Sequence, residues 1–491
     1  MEWTQQQRYR KVEEVSPDEI KLLKERVNHS PWRQTYHIQP STGLLNDPNG
    51  FSYYNGEYHL FYQWFPLGAV HGIKYWYHMK SKDLVQWEKV GIGIKPDCDY
   101  DSHGAFSGSA IEHEGKLYLL YTGNTRDENW VRHPYQCLAI MDDHNHITKW
   151  PVPVISEVPK GYTEHFRDPK VWKENDQFYM VIGAQRTNKT GTAILYHSSN
   201  LTDWTFQGEI EAVGLEFGFM WECPDYFPIE DQGVLLFCPQ GLQPEGDFYQ
   251  NIYQSGYVIG SKLDVATCSF QDGPFTELDR GFDFYAPQTM LDDKGRRILI
   301  GWMGLPDIAY PTDEYGWAHC LTLPRELSIV NGRLRQQPVK ELEMLRGPLY
   351  ERVDILADEM KMYEGFSGEQ YELRCTFSAA TACQYGIEFR VGDKEKTVLY
   401  YEAAQKKVIL DRSASGKEVA ASYGTKRACY VDSDMITFHL FVDTSSVEIF
   451  INDGEEVFTS RIFPRSTSTD IRFFAVGGEV HLAVMKWDCT R

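Results

Sequence analysis

The chain of 491 residues is poor in positive charge: 49 Lys and Arg stand against 70 Asp and Glu, a formal net charge of −21. Nucleic acids and anionic membranes select basic surfaces, so neither is expected as a partner. No apolar run approaches the length of a membrane span. The start, Met1-Glu2-Trp3-Thr4-Gln5-Gln6-Gln7, has no apolar stretch of a secretory leader. The ten Cys (98, 137, 223, 238, 268, 320, 375, 383, 429, 489) form no CxxC pair and no zinc-type cluster. Free thiols in a reducing cytoplasm follow, so the Asn-x-Ser/Thr matches at Asn28, Asn188 and Asn200 carry no meaning. No metal or organic cofactor is expected.

What is abundant is aromatic side chain, 14% of the residues, with 13 Trp and 30 Tyr. Such rings fill β-rich cores and also stack on sugar faces. The length exceeds that of one core, and at least two domains are expected. Residues 1–32 read as a helical extension, with Ser16 as N-cap and Pro17 at the first helical position.

Short alternating strands begin near residue 36. Five analogous apolar runs, 57–63, 116–122, 177–183, 233–238 and 297–302, recur at intervals of about 55–65 residues. Each is preceded by a segment of turn-forming residues: Asn46-Asp47-Pro48, Phe106-Ser107-Gly108, Arg167-Asp168-Pro169, Glu222-Cys223-Pro224 and Tyr285-Ala286-Pro287. Asp-Pro-Asn-Gly reads locally as a turn, because Pro presets φ and Asn and Gly tolerate positive φ. A further echo, Ser81 to Trp87, returns as Ser199 to Trp204. Repeats of this length are those of a propeller, in which radial packing hides sheet edges and the first strand of each blade lines a central channel. The fold class expected is all-β: a five-bladed propeller over 33–335, a short helical linker over 336–349 and a β-sandwich over 350–491. A propeller would bring Asp47, Asp168 and Glu222 into one funnel, and paired carboxylates are what glycoside hydrolysis requires.

The segments Asn46-Asp47-Pro48-Asn49-Gly50, Phe61-Tyr62-Gln63, Phe106-Ser107-Gly108-Ser109-Ala110, Phe166-Arg167-Asp168-Pro169, Trp221-Glu222-Cys223-Pro224 and Ser446 to Gly454 resemble, in order, glycoside hydrolase family 32, the β-fructofuranosidases. The resemblance implies retaining hydrolysis at a fructosyl C2 without a metal, with Asp47 as nucleophile, Glu222 as general acid/base and Asp168 as stabiliser. It also implies sugar contacts from Asn46, Gln63 and Ser107, with Phe106 and Trp302 as apolar walls. Arg167, beside Asp168, is expected to hold that carboxylate ionised and oriented. The apolar residues flanking Glu222 (Phe217, Phe219, Met220, Trp221, Cys223, Pro224) are expected to desolvate it as an acid requires.

The chain departs from the family where Leu44-Leu45 precedes Asn46, where His71 replaces a Trp and where Tyr77 replaces a Gly. A more polar leaving-group site and a phosphorylated substrate, sucrose 6-phosphate, are expected, with Lys74, Arg126, Arg132, Arg186 and Lys189 as candidate phosphate cations. The alternatives are a cytosolic invertase or fructo-oligosaccharide hydrolase, a fructosyl transferase, and a non-catalytic sugar-binding propeller. A homo-oligomer is possible on this reading.

Overall fold

The computed structural model describes residues 3–212, 217–271 and 273–489. Five antiparallel sheets follow one another along the chain to residue 338. Their innermost strands are Gly43–Tyr54, Ala105–His113, Tyr162–Glu174, Met220–Ile229 and Tyr285–Leu291. Each packs beside the next, and the fifth packs beside the first, so the ring closes as a five-bladed propeller. The strand Trp317–Ala318, on the connection between the second and third strands of the fifth blade, adds in parallel to Gly43–Leu44 and locks first blade to last. The five apolar runs seen in the sequence are the second strands, buried along most of their length and correspondingly rich in apolar residues.

The turn-like segments are not turns. Each is a β-bulge inside a continuous inner strand, where two residues face one on the neighbouring strand. The pairs are Asn46-Asp47, Phe106-Ser107, Asp168-Pro169, Cys223-Pro224 and Ala286-Pro287, at one level in all five blades. Turn chemistry serves the bulge: Asp168, Cys223 and Ala286, each before a Pro, sit at φ of 68°, 49° and 48°. Positive φ at a non-glycine residue stores roughly 1–3 kcal/mol, here imposed by the closed ring. A bulge twists the strand and re-aims its side chains, which is how this level comes to face the channel.

Polar side chains stitch the inner strands below the bulges. The Gly108 amide donates to Asn49 Oδ1 (3.0 Å), and Gln288 bridges the Phe51 amide and the Gly108 carbonyl. Ser109 joins the second blade to Pro169 and Val171 of the third. Lys170 reaches Asp225 of the fourth (2.9 Å), and Asp225 accepts from the Thr289 amide of the fifth. The Ser81 and Ser199 echoes are equivalent corners, where Trp87 and Trp204 donate Nε1–H to the carbonyls of Leu84 and Leu201.

The C-terminal region is a sandwich of two six-stranded sheets, beginning with the strand Arg346–Ala357. Its core is built from the alternating inward residues of both sheets, among them Leu373, Phe389, Leu399, Phe438, Ile449 and Phe473. Within the segment 336–349 expected as a short helical linker, Lys340–Leu345 is a 3-10 helix, while its start ends the outer strand of the fifth blade, Arg333–Pro338, and its end opens the first sandwich strand. Propeller and sandwich meet through buried charge. His37 contacts Asp443 (2.8 Å) and Glu448 (3.1 Å), while Arg325 pairs with Glu448 (2.6 Å) and Asp279 (3.1 Å). Arg412 reaches across to Asp283 (2.7 Å).

The N-terminal extension is two helices, Gln5–Arg8 and Pro17–Asn28, around a 3-10 turn, rather than a single surface helix. Ser16 caps the second as its sequence suggests. Among the described residues no helix is long and apolar enough to cross a membrane.

Candidate active site

The bulge level floors a funnel of about 630 Å³ whose lining includes Asn46, Asp47, Gln63, Phe106, Arg167, Asp168, Glu222 and Trp302. Asp47, Asp168 and Glu222, on the first, third and fourth blades, are thus brought together. Cys223 marks the convergence: its Sγ lies 3.7 Å from Asp47 Oδ2 and 3.7 Å from Asp168 Oδ2.

A directed set of donors ends on Asp47. The Lys74 ammonium donates to Asn46 Oδ1 (2.7 Å), and the Asn46 amide donates to Asp47 Oδ1 (3.0 Å) and to Gln63 Oε1 (2.7 Å). Gln63 in turn donates to Ser107 Oγ (2.7 Å), and the Ser107 hydroxyl donates a short bond to Asp47 Oδ2. Gln63 can do this because it is the one residue facing the Asn46-Asp47 bulge across the sheet. Burial pushes the Asp47 carboxyl up, and the Ser107 and Asn46 bonds oppose that shift. The Lys74 ammonium, taken out of water, falls to about 7, with Asp47 pulling the other way.

Asp168 accepts from the Cys223 amide (3.0 Å), and its own amide donates to Thr122 Oγ1 (3.0 Å). Burial pushes it up to about 7; Arg167 opposes the shift, while Glu222 and Asp47 add to it.

Two expectations are corrected here. The Arg167 guanidinium hydrogen-bonds Glu222 Oε1 through Nη2 (2.7 Å) and Nε (3.0 Å) rather than its neighbour Asp168, on which it acts only as a nearby charge. The bulge leaves both Arg167 and Asp168 on the funnel, and Glu222 lies on the next blade at the same level. Nor is the Glu222 carboxylate in apolar surroundings. Its Oε2 accepts from Gln240 Nε2 (2.7 Å) and from the Tyr285 hydroxyl (2.7 Å). The flanking rings turn the other way, with Trp221 stacked on Phe237 in the blade core.

Phe106 lines the wall, and Trp302 is buried against Tyr285 and His71. Of the candidate phosphate cations, Lys74 and Arg132 line the funnel. Arg186 belongs to an ion pair with Glu209 outside it, and Arg126 and Lys189 are not among the lining residues. Sequence reasoning missed Gln5, Arg8, Tyr9, Trp130, Gln240, Tyr253 and Asp307 as lining residues. Gln240 carries no signal of its own beyond ending the second strand of the fourth blade.

A closed propeller presenting three carboxylates from separate blades at the bottom of one pit has the build of a glycosidase. Comparison with known proteins agrees. Residues 37–338 match the glycosyl hydrolases family 32 N-terminal domain and residues 341–488 the family 32 C-terminal domain. The sucrose-6-phosphate hydrolase of Staphylococcus xylosus is 48% identical over 99% of this chain and 98% of its own length. That of Bacillus subtilis is 42% identical over 94% and 95%. The structure of sucrose-6-phosphate hydrolase from Lactobacillus gasseri superposes with a TM-score of 0.93 at 41% identity, covering 100% of this chain and 99% of that one. A Bombyx mori family 32 β-fructofuranosidase mutant in complex with sucrose gives 0.81 at 33% identity, over 97% and 99%. The chain belongs to glycosyl hydrolase family 32.

Proposed function

We propose that the chain is a retaining β-fructofuranosidase that cleaves sucrose 6-phosphate, releasing fructose, and that it works in the cytoplasm. Asp47 attacks the fructosyl C2 while Glu222 gives its proton to the departing glycosidic oxygen. Glu222 then takes a proton from water, which releases fructose from Asp47. Both Asp47 oxygens are met by donors, so the nucleophile is held in one orientation before substrate arrives. Burial pushes both Asp47 and Asp168 up, Asp168 to about 7. Fructosyl hydroxyls donating to Asp168 favour its ionised form and hold the fructosyl ring over the nucleophile. Arg167, Gln240 and Tyr285 fix the Glu222 carboxyl for that transfer.

The meeting of Asp47 and Asp168 at Cys223, with Glu222 lining the same funnel, carries the chemistry. The near full-length similarity to sucrose-6-phosphate hydrolases supports the substrate. The ten free thiols suit a reducing compartment, where a phosphorylated disaccharide would be met. The test is kcat/KM for sucrose 6-phosphate against sucrose, followed by fructose release. A large preference for the phosphorylated sugar is expected. Equal values would overturn the substrate assignment and leave a plain invertase or fructo-oligosaccharide hydrolase.

A further inference from the structure

The wall above the catalytic floor is built partly from outside the propeller. Residues Gln5, Arg8 and Tyr9 of the N-terminal extension line the funnel beside Trp130 and Arg132, which lie on the hairpin between the second and third strands of the second blade. The extension is strapped down rather than loosely laid. The Trp3 ring meets Phe65 edge-on with centroids 5.9 Å apart. The Ile73 amide donates to the Arg8 carbonyl (2.8 Å), and Arg8 Nη1 donates to the His71 carbonyl (2.9 Å). Tyr9 packs edge-on against Trp130 (5.2 Å) and against His103 (5.4 Å), joining the strap to the hairpin.

This wall carries cations without an ion-pair partner among the described residues. Among the described residues, neither Arg8 nor Arg132 has a carboxylate within ion-pair distance, whereas Arg167 and Arg186 each have one. Arg8 spends its donors only on main-chain carbonyls. Arg132 lies over the Phe106 ring (5.6 Å), and its buried Nε has no hydrogen-bond partner. Lys74, the other cation of the funnel not held by an acid, is committed to Asn46 and His71 at the floor. In a chain with a net charge of −21 such a concentration of unpaired guanidinium is out of keeping with its surroundings. A half-buried arginine with free donors costs desolvation and returns it only when an anion arrives.

We propose that Arg132, with Arg8 carried in by the N-terminal strap, forms the site for the phosphate of the leaving glucose 6-phosphate. The inference rests on the substrate reading above. The guanidinium of Arg132 makes the direct, forked contact with the phosphate oxygens. Arg8 adds positive charge from the adjoining strap, and the Tyr9–Trp130 pair forms the apolar floor beneath the sugar. The strap therefore sets which leaving group is accepted, while the blades supply the chemistry.

The experiment compares kcat/KM for sucrose 6-phosphate and sucrose in wild type, R132A, R132K and R8A. The ratio of the two values is expected to fall about 10- to 100-fold in R132A, the range for losing charge-assisted hydrogen bonds. R132K should recover only part of it, because a point charge does not reproduce the fork. A smaller fall is expected in R8A. Glucose 6-phosphate should inhibit the wild type more strongly than R132A, and added salt should narrow that gap. Equal losses on both sugars, or full recovery of the ratio by neutral R132Q, would overturn the assignment. A wild type indifferent to the phosphate would instead overturn the substrate reading itself, so the two failures are distinguishable.

Discussion

Deprotonating His37 should loosen the join between propeller and sandwich. Its imidazole is fully buried between Asp443 and Glu448, and those contacts raise it from 6.5 to about 9 against the cost of its own burial. The folded value lies above the unfolded one. The imidazolium's contribution is therefore fully present below pH 6.5 and is lost as the pH climbs through 9. Two and a half pH units correspond to roughly 3 kcal/mol. Asp443 and Glu448 are held below the usual carboxylate range and stay ionised throughout that window. Urea unfolding followed by Trp fluorescence at several pH values should show wild-type stability falling by about that amount relative to H37Q between pH 6.5 and 9. H37Q should itself be less stable at pH 6.5, because two buried carboxylates lose a shared partner, and the gap should close at high pH. Parallel curves for the two proteins would refute the reasoning.

Three further outcomes follow from the same geometry. D47N should lose about 10⁴-fold or more in kcat, with an unfolding midpoint unchanged or raised, since the substitution removes a buried charge; substantial turnover by this variant would show that the nucleophile lies elsewhere. R325M should cost about 3–5 kcal/mol of stability, because Asp279 is left buried without its cation and Glu448 keeps only His37; calorimetry reads this directly. G183A, on the strand behind Arg167, should lower kcat: a Cβ there would meet the Trp221 carbonyl at 2.1 Å and displace the strand carrying Glu222, which steady-state kinetics beside a urea titration would resolve.

Much of the fold was legible because the second strand of each blade is buried along most of its length and so announces itself as an apolar run at a fixed interval. The inner strands were harder. Asp-Pro and Cys-Pro imply a turn by local propensity, and only the closed ring turns that preference into a bulge. The meeting of Asp47, Asp168 and Glu222 follows from the motif order once a propeller is assumed. The partner of Arg167 was misjudged because adjacency in sequence suggested Asp168, while the next blade, invisible in local sequence, brings Glu222 within hydrogen-bond reach. The strap carrying Arg8 and Tyr9 was unreadable, since nothing in a short polar helix says that it docks on a funnel 60 residues downstream in the chain. The buried charges joining the domains were equally silent: Glu448 sits in a run of apolar residues, and its partners His37 and Arg325 are far away in sequence.

The division of labour between Asp47 and Glu222 is tested most directly by chemical rescue with azide, with the anomer of the fructosyl azide read by NMR. In D47A the small anion can occupy the vacated nucleophile's side of the sugar, and the α-azide is expected. In E222A, where Asp47 still forms the covalent intermediate, azide must attack from the opposite face and give the β-azide. The same anomer from both variants, or the reverse assignment, would contradict the account.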